Sequence, residues 1–335
     1  MARAGNAEHR RTEGETMQYS RRDFLRMGAI LSAGLGLGRG AASALAEGLQ
    51  SIVERQRKVL WLQGMSCTGC SISFLNAEEP GPLEILTQMI SLVFHPNVSA
   101  AQGGLVMETI EKVAREGNYY LVLEGAVCPE MPQACIVGGK PLTMILPEVL
   151  AKAQYVIAAG SCAAFGGIPA AEGNATGAIG LKDFMKSKGI PFEKRLINCP
   201  GCPVHPQTLV ATLAYAAGVG YPKVDPELLT PDMICKHSVH DDCPRFHYWQ
   251  KEVFAKNFGD EGCLFKLGCL GPLSRSNCPQ RQWNGGVNWC IRAGAPCIGC
   301  TGKDFARKRS FPFYRKGEQY HTVAYQERDR KGDRP

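Results

Sequence analysis

The stretch Val59-Leu60-Trp61-Leu62-Gln63-Gly64-Met65-Ser66-Cys67-Thr68-Gly69-Cys70 decides the fold. Val59 to Leu62 is an unbroken apolar run, short, and closed almost at once by glycine, as expected of a strand buried on both faces. Such strands belong to parallel sheets covered by helices on either side. The pattern recurs in Tyr119-Tyr120-Leu121-Val122-Leu123-Glu124-Gly125, in Tyr155-Val156-Ile157-Ala158-Ala159-Gly160 and in Arg195-Leu196-Ile197-Asn198. Helical segments are expected near Met107 to Arg115, Met144 to Lys152, Gly180 to Lys188 and Gln207 to Ala217. Ile72 to Leu92 reads as mostly helical, with breaks at Pro80-Gly81-Pro82. This alternation from Lys58 to about Tyr221 predicts an α/β fold with a doubly wound parallel sheet. After Pro222 the rhythm stops, and residues 235–300 hold eight Cys with little periodicity, a segment organised by its ligands more than by regular structure.

At 335 residues the chain has room for about two domains and an ample core, so it needs no disulfide staples for stability. Its 44% hydrophobic and 21% charged residues exclude disorder and fibre. The 15 Cys cluster in C-x-x-C pairs and beside Gly and Pro, which favours metal ligation over a disulfide framework. The net charge of +7 is spread rather than gathered into a basic stripe, and nucleic acid is not an expected partner.

Residues 1–46 read as an export leader. Ser20-Arg21-Arg22-Asp23-Phe24-Leu25 is a twin-arginine box, Met27 to Leu37 is a mildly apolar Gly/Ala-rich run, and Ala44-Leu45-Ala46 is a small-x-small cleavage site, with cleavage expected after Ala46. The alternative, an ordinary N-terminal helix, is weakened by Gly28, Gly34, Gly36, Gly38 and Gly40. The twin-arginine route carries folded proteins, which fits a metal centre assembled before export to the periplasm. No later stretch has the 18 or more apolar residues of a membrane helix, so no anchor is expected in the mature chain.

Ligands of a doubly wound sheet bind at the carboxyl ends of its strands. Cys67 and Cys70 follow the first strand, Cys162 follows Gly160-Ser161, and Cys202 stands in Pro200-Gly201-Cys202-Pro203, so four thiolates from three loops can meet at one edge. Neighbouring glycines let backbone N–H groups approach an inorganic cluster. Zinc also accepts four thiolates, and a single Cys after a strand is more often a small core residue. Cys199 forms a second C-x-x-C with Cys202, and the Gly-Cys-Pro context favours Cys202 as the ligand. Further on, His240 and Cys243 form an H-x-x-C pair, followed by Cys263 and Cys269; His237 and His247 are rivals for the imidazole. A neutral imidazole in place of a thiolate raises a cluster's potential and suits an exit site. The last group is Cys278, Cys297 and Cys300, with Cys290 between them: three ligands suffice for a 3Fe-4S cluster and four permit 4Fe-4S. Trp283, Trp289, Phe265 and Phe254 can wall these sites from water, although aromatic residues are more often plain core.

The chain resembles the small, electron-transferring subunit of nickel-iron hydrogenases along nearly its whole mature length. The motifs are Cys67-Thr68-Gly69-Cys70-Ser71, Gly160-Ser161-Cys162-Ala163, Pro200-Gly201-Cys202-Pro203, His240-x-x-Cys243-Pro244, Leu267-Gly268-Cys269-x-Gly271-Pro272, Trp283-Asn284-Gly285-Gly286 and Cys297-Ile298-Gly299-Cys300. The resemblance implies a flavodoxin-like domain over 47–230 and an iron-sulfur domain over 231–335. It implies three clusters: proximal 4Fe-4S on Cys67, Cys70, Cys162 and Cys202, medial on Cys278, Cys297 and Cys300, and distal 4Fe-4S on His240, Cys243, Cys263 and Cys269. It also implies a separate large subunit that holds the nickel-iron site, and a periplasmic acceptor such as a multihaem c-type cytochrome or a membrane redox partner. No catalytic residue is then expected in this chain.

Departures from the common pattern refine the expectation. Many relatives have Pro where Cys290 stands; Cys290 offers a fourth ligand, as in the selenium-containing branch, which the chain also resembles at Cys70-Ser71-Ile72-Ser73 and Phe311-Pro312-Phe313-Tyr314. A medial 4Fe-4S cluster is therefore expected, 3Fe-4S if Cys290 does not ligate. Oxygen-tolerant relatives carry two extra Cys where Gly69 and Gly167 stand here, and a hydrophobic anchor helix where this chain has the charged tail Arg328-Asp329-Arg330-Lys331. Cys128, Cys135, Cys199 and Cys235 are left without a cluster role. A free-standing electron carrier would not expose a large apolar face for a partner, a hydrogen sensor would lack the leader, and the related quinone-reductase subunit would lack the half that contains His240.

Overall fold

The computed structural model describes residues 19–35, 37–55, 57–307 and Tyr314. Its centre is a five-stranded parallel sheet of β1 (Arg57–Gln63), β2 (Ile90–Phe94), β3 (Tyr120–Glu124), β4 (Tyr155–Ala159) and β5 (Leu196–Cys199), in the order β2-β1-β3-β4-β5. That order reverses direction between β1 and β3, the switch point of the flavodoxin-like arrangement, where a crevice opens beyond the strand ends. Successive side chains alternate between faces. Val59, Trp61, Tyr120, Val122, Ile157 and Ile197 enter one core, and Leu60, Leu62, Leu121, Leu123, Val156 and Leu196 enter the other. The helices Gly104–Glu116, Leu142–Lys152 and Leu181–Ser187 cover the second face, and Pro206–Gly218 covers the first.

Register aligns the strand ends. Gln63 pairs with Glu124, Glu124 with Ala159, and Ala159 with Cys199. The loops after β1, β4 and β5 therefore leave the sheet along one line. The edge strand β2 departs from the helical reading of Ile72 to Leu92: the helical turns over Pro82–Glu84 and Ile85–Met89 end where Ile90 adopts extended backbone (φ −116°, ψ 148°) and pairs with β1. A half-exposed edge strand carries neither an unbroken apolar run nor strict alternation, so its period is hidden.

The leader segment also differs from its sequence expectation. Its described part is not apart from the fold but forms a hairpin of helices, Arg21–Gly34 and Arg39–Arg55, laid on the helix Pro206–Gly218. Ser20 caps the first helix in a reciprocal box with Asp23, and Phe24, Met27, Leu31 and Leu35 are buried. Of the glycines that argued against a helix here, Gly28 permits its packing, as does Gly48 further on. A Cβ on Gly28 would overlap the Ala42 carbonyl oxygen and stand 2.8 Å from Ala46 Cβ, and one on Gly48 would overlap the Ala214 carbonyl. Tertiary contact thus offsets the propensity cost of about 1 kcal/mol per glycine. In the uncleaved chain, Gly28→Leu is expected to detach the first helix at a cost of about 1–3 kcal/mol of overpacking. Hydrogen exchange should then rise over residues 21–34 while the sheet stays protected.

Beyond residue 222 short helices (Asp232–Cys235, Phe246–Gln250, Cys278–Arg281) and 3-10 turns surround a small core of Val239, Ala255, Leu264, Leu267, Trp289 and Ile291, with Cys269 and Cys297 in it. Among the described residues no helix is long and apolar enough to cross a membrane. The charged tail and Phe311 to Phe313 lie outside the described residues.

Candidate functional site

Cys67 and Cys70 flank Thr68, whose left-handed backbone (φ 65°) turns the chain out of the loop after β1 into the helix Gly69–Phe74. Cys162 sits in the short helix Gly160–Phe165 after β4, and Cys202 in the loop after β5. The four thiols face one another across the strand ends: Cys70 and Cys162 each feel Cys202, Cys70 feels Cys162, and Cys67 acts on both Cys162 and Cys202. Burial pushes the Cys162 thiol up to about 11 and the Cys70 thiol higher still. Buried thiols in this state become tolerable thiolates only around a cationic centre. The Val204 N–H donates to Cys70 Sγ at 3.4 Å. A Cβ on Gly69 would lie 3.1 Å from Cys67 Sγ and one on Gly167 2.8 Å from Cys162 Sγ, so both glycines abut this group.

A carboxylate that the sequence did not single out supports the group. Glu124, at the end of β3 and buried, accepts from the Cys70 N–H at 3.0 Å, Ser66 Oγ at 2.8 Å and Ser71 Oγ at 2.5 Å. His95 accepts the Asn97 N–H at Nδ1 (3.1 Å), which leaves its Nε2–H to donate to Ser71 Oγ at 3.0 Å. Burial lowers the pKa of His95 and so favours this neutral form. The only sequence signal for Glu124 was a charged residue ending an otherwise apolar strand.

His240, Cys243, Cys263 and Cys269 line a single cavity closed by Leu264, Phe265 and Ile291. The His240 ring stands edge-on to Phe246 and to Trp249, and Trp249 in turn packs on Phe254 and Phe265. Trp249 was not anticipated as part of this wall. The rivals His237 and His247 are exposed. The third group lies between the other two. Cys278, Cys290 and Cys300 influence one another, as do Cys278, Cys297 and Cys300. Cys300 also feels Cys202 of the first group, and Cys297 feels Cys269 of the other. Backbone ties follow the same path: Ser161 Oγ donates to the Cys300 carbonyl, and the Leu270 N–H donates to the Cys297 carbonyl at 2.7 Å. Trp289 is buried in this region, whereas Cys290 is exposed.

The remaining cysteines are core thiols. Cys199 is fully buried on the opposite side of its strand end, its Sγ donating to Thr212 Oγ1 at 3.4 Å. Cys235 is buried, and Cys128 and Cys135 contact each other. Among the described residues no three His, Cys, Asp or Glu side chains converge closely enough to share one metal ion. Four thiolates on one zinc would converge at about 2.3 Å from it.

Comparison with known proteins agrees with both halves. Residues 235–314 match the C-terminal family model of the NiFe/NiFeSe hydrogenase small subunit, and residues 67–216 match the family "NADH ubiquinone oxidoreductase, 20 Kd subunit". The periplasmic [NiFeSe] hydrogenase small subunit of Desulfomicrobium baculatum is 37% identical, over 89% of this chain and 99% of that protein. The periplasmic [NiFe] hydrogenase small subunit 1 of Nitratidesulfovibrio vulgaris is 38% identical, over 88% and 93%. The crystal structure of the reduced, active NiFeSe hydrogenase from D. baculatum superposes with a TM-score of 0.74 at 36% identity, covering 78% of this chain and all of the matched one. With the fold, the full span of its relatives and the second half all in agreement, the chain belongs to the small subunits of nickel-iron and nickel-iron-selenium hydrogenases.

Proposed function

We propose that this chain conducts electrons away from hydrogen oxidised at the metal site of a large partner subunit. In this reading Cys67, Cys70, Cys162 and Cys202 hold a proximal 4Fe-4S cluster, Cys278, Cys290, Cys297 and Cys300 a medial 4Fe-4S cluster, and His240, Cys243, Cys263 and Cys269 a distal 4Fe-4S cluster. The observation that carries it is the line of three cysteine groups, each sharing a neighbouring thiol with the next. Bound iron-sulfur clusters supply one-electron oxidation and reduction. The protein's own part is to hold the three groups in order, keep water away with Trp289, Trp249, Phe254 and Phe265, and fix the Cys70 backbone through Glu124. Residues 1–46 act as a twin-arginine leader cleaved after Ala46, residues 47–230 and 231–335 as the two domains of the mature chain, and the periplasm as its compartment. The acceptor docks near His240, and a multihaem c-type cytochrome suits that compartment.

Anaerobic purification of the native complex, followed by iron analysis and low-temperature EPR with and without hydrogen, tests the reading. About twelve cluster irons reducible by hydrogen are expected, besides the iron of the partner's metal site; a colourless zinc protein without a large partner would overturn it. His240→Ala should lower the ratio of cytochrome reduction to hydrogen–deuterium exchange at least about tenfold, since a distal ligand lies on the electron's path but not at the site of hydrogen cleavage. An unchanged ratio would move the exit elsewhere.

A further inference from the structure

Beside Cys278 of the medial group lies a buried charge without a counter-charge. Arg281 ends the short helix Cys278–Arg281 and is only 7% exposed. Its Nη1 donates to Thr208 Oγ1, and its Nη2 donates to Ser276 Oγ at 3.2 Å and to Cys278 Sγ at 3.6 Å. Its Nε is buried with no hydrogen-bond partner. Among the described residues no carboxylate forms an ion pair with it; Asp225, for example, is engaged by Arg275 at 2.9 Å. An arginine cannot escape such a position by losing its proton, so an isolated guanidinium there is costly unless an anion faces it. The nearby imidazole offers none. His205 is pushed down to about 2 by burial and then by Arg281, so it stays neutral, Nε2 toward the Gln282 carbonyl at 3.0 Å.

We propose that Arg281 is the built-in counter-charge of the medial cluster and raises that cluster's affinity for the electron. The inference rests on the assignment of Cys278, Cys290, Cys297 and Cys300 to such a cluster. A cluster ligated by thiolates is anionic and becomes more so on reduction, and a fixed cation held against one of its ligands in a poorly screened interior favours the reduced form. Because Coulomb attraction weakens with distance, the medial centre gains most. Thr208 lies on the helix Pro206–Gly218, so the same guanidinium ties the second domain to the first.

The test is a redox titration of the purified complex, followed by EPR, with all three centres monitored. Arg281→Gln should lower the medial potential selectively, shifting the electron's partition between proximal and medial centres toward the proximal by at least about tenfold. Arg281→Lys, which keeps the charge, should stay nearer the parent. An unmoved medial potential in R281Q, an equal shift at all three centres, or the same shift in R281K would each overturn the proposal. Should R281Q fail to assemble, Thr208→Val serves: releasing the guanidinium from its anchor must lower the medial potential alone, and no change there overturns the proposal. Absence of the three clusters from the unsubstituted complex would instead defeat the assignment on which it rests.

Discussion

Replacing Cys290 by proline is expected to remove one cluster iron from the complex, from about twelve cluster irons to about eleven, and to produce a three-iron EPR signal in the oxidised state. In the proposed assignment Cys290 is the fourth member of the medial group and, like Cys300, it feels the thiol of Cys278. It is exposed, yet Tyr314 lies close enough to feel both Cys290 and Cys297, and burial there raises the phenol's pKa. A thiolate at this position can hold a fourth iron; a proline cannot. On the proposed assignment Cys278, Cys297 and Cys300 still hold three irons, so the complex should still assemble. Iron analysis and EPR of the two proteins side by side decide the matter. An unchanged iron count, or a three-iron signal already present in the unsubstituted protein, would remove Cys290 from the ligand set and leave the rest of the assignment standing.

Gly160→Ala is expected to abolish the proximal centre, with loss of about four irons and a fall of at least about a hundredfold in hydrogen-driven acceptor reduction. Gly160 has φ +87°, and a Cβ there would overlap Cys70 Sγ and lie 3.3 Å from the Gly201 carbonyl oxygen. One methyl group therefore meets a ligand from the first loop and the backbone of the third at once. Strain alone does not account for an effect of this size, because a non-glycine residue in such a conformation costs of order 1–3 kcal/mol. Gly173→Ala separates the two causes: Gly173 has φ +90° but nothing within 4 Å of its added Cβ, so that substitution should cost stability without costing iron. Equal iron loss in both variants would reduce the Gly160 effect to backbone strain.

Local patterning carried much of this protein. Val59 to Leu62, Leu121 to Leu123 and Val156 to Ala159 are buried on both sides of their strands, and such burial forces an apolar run that is visible in the chain itself. The edge strand Ile90–Phe94 escaped that reading because only one of its long sides is paired, and its half-buried residues obey neither period. The helix over residues 21–34 forms despite its glycines for a related reason. Helix propensity is a local quantity, while the close approach of Gly28 to Ala42 and Ala46 rewards glycine only once a second helix is present.

The chemistry divides along the same line. Residue types and short spacings by themselves determined that the first half is a doubly wound sheet with cysteine-bearing loops at its strand ends, and that the second half gathers the His and Cys residues proposed to hold two further clusters. Which thiols face one another is a matter of register and packing. Gln63, Glu124, Ala159 and Cys199 stand in one row across the sheet, so the thiol of Cys199, still inside its strand, turns to Thr212, while Cys202, three residues on, reaches the crevice beside Cys67. Glu124 beneath Cys70 and Arg281 beside Cys278 have no sequence signature, because a single charged residue reads as solvated surface until the fold takes water away from it. Backbone patterning and cysteine spacing are short-range properties recorded in the sequence; the order of the three groups and the charges set against them arise from contacts between residues far apart in the chain, which only the tertiary structure creates.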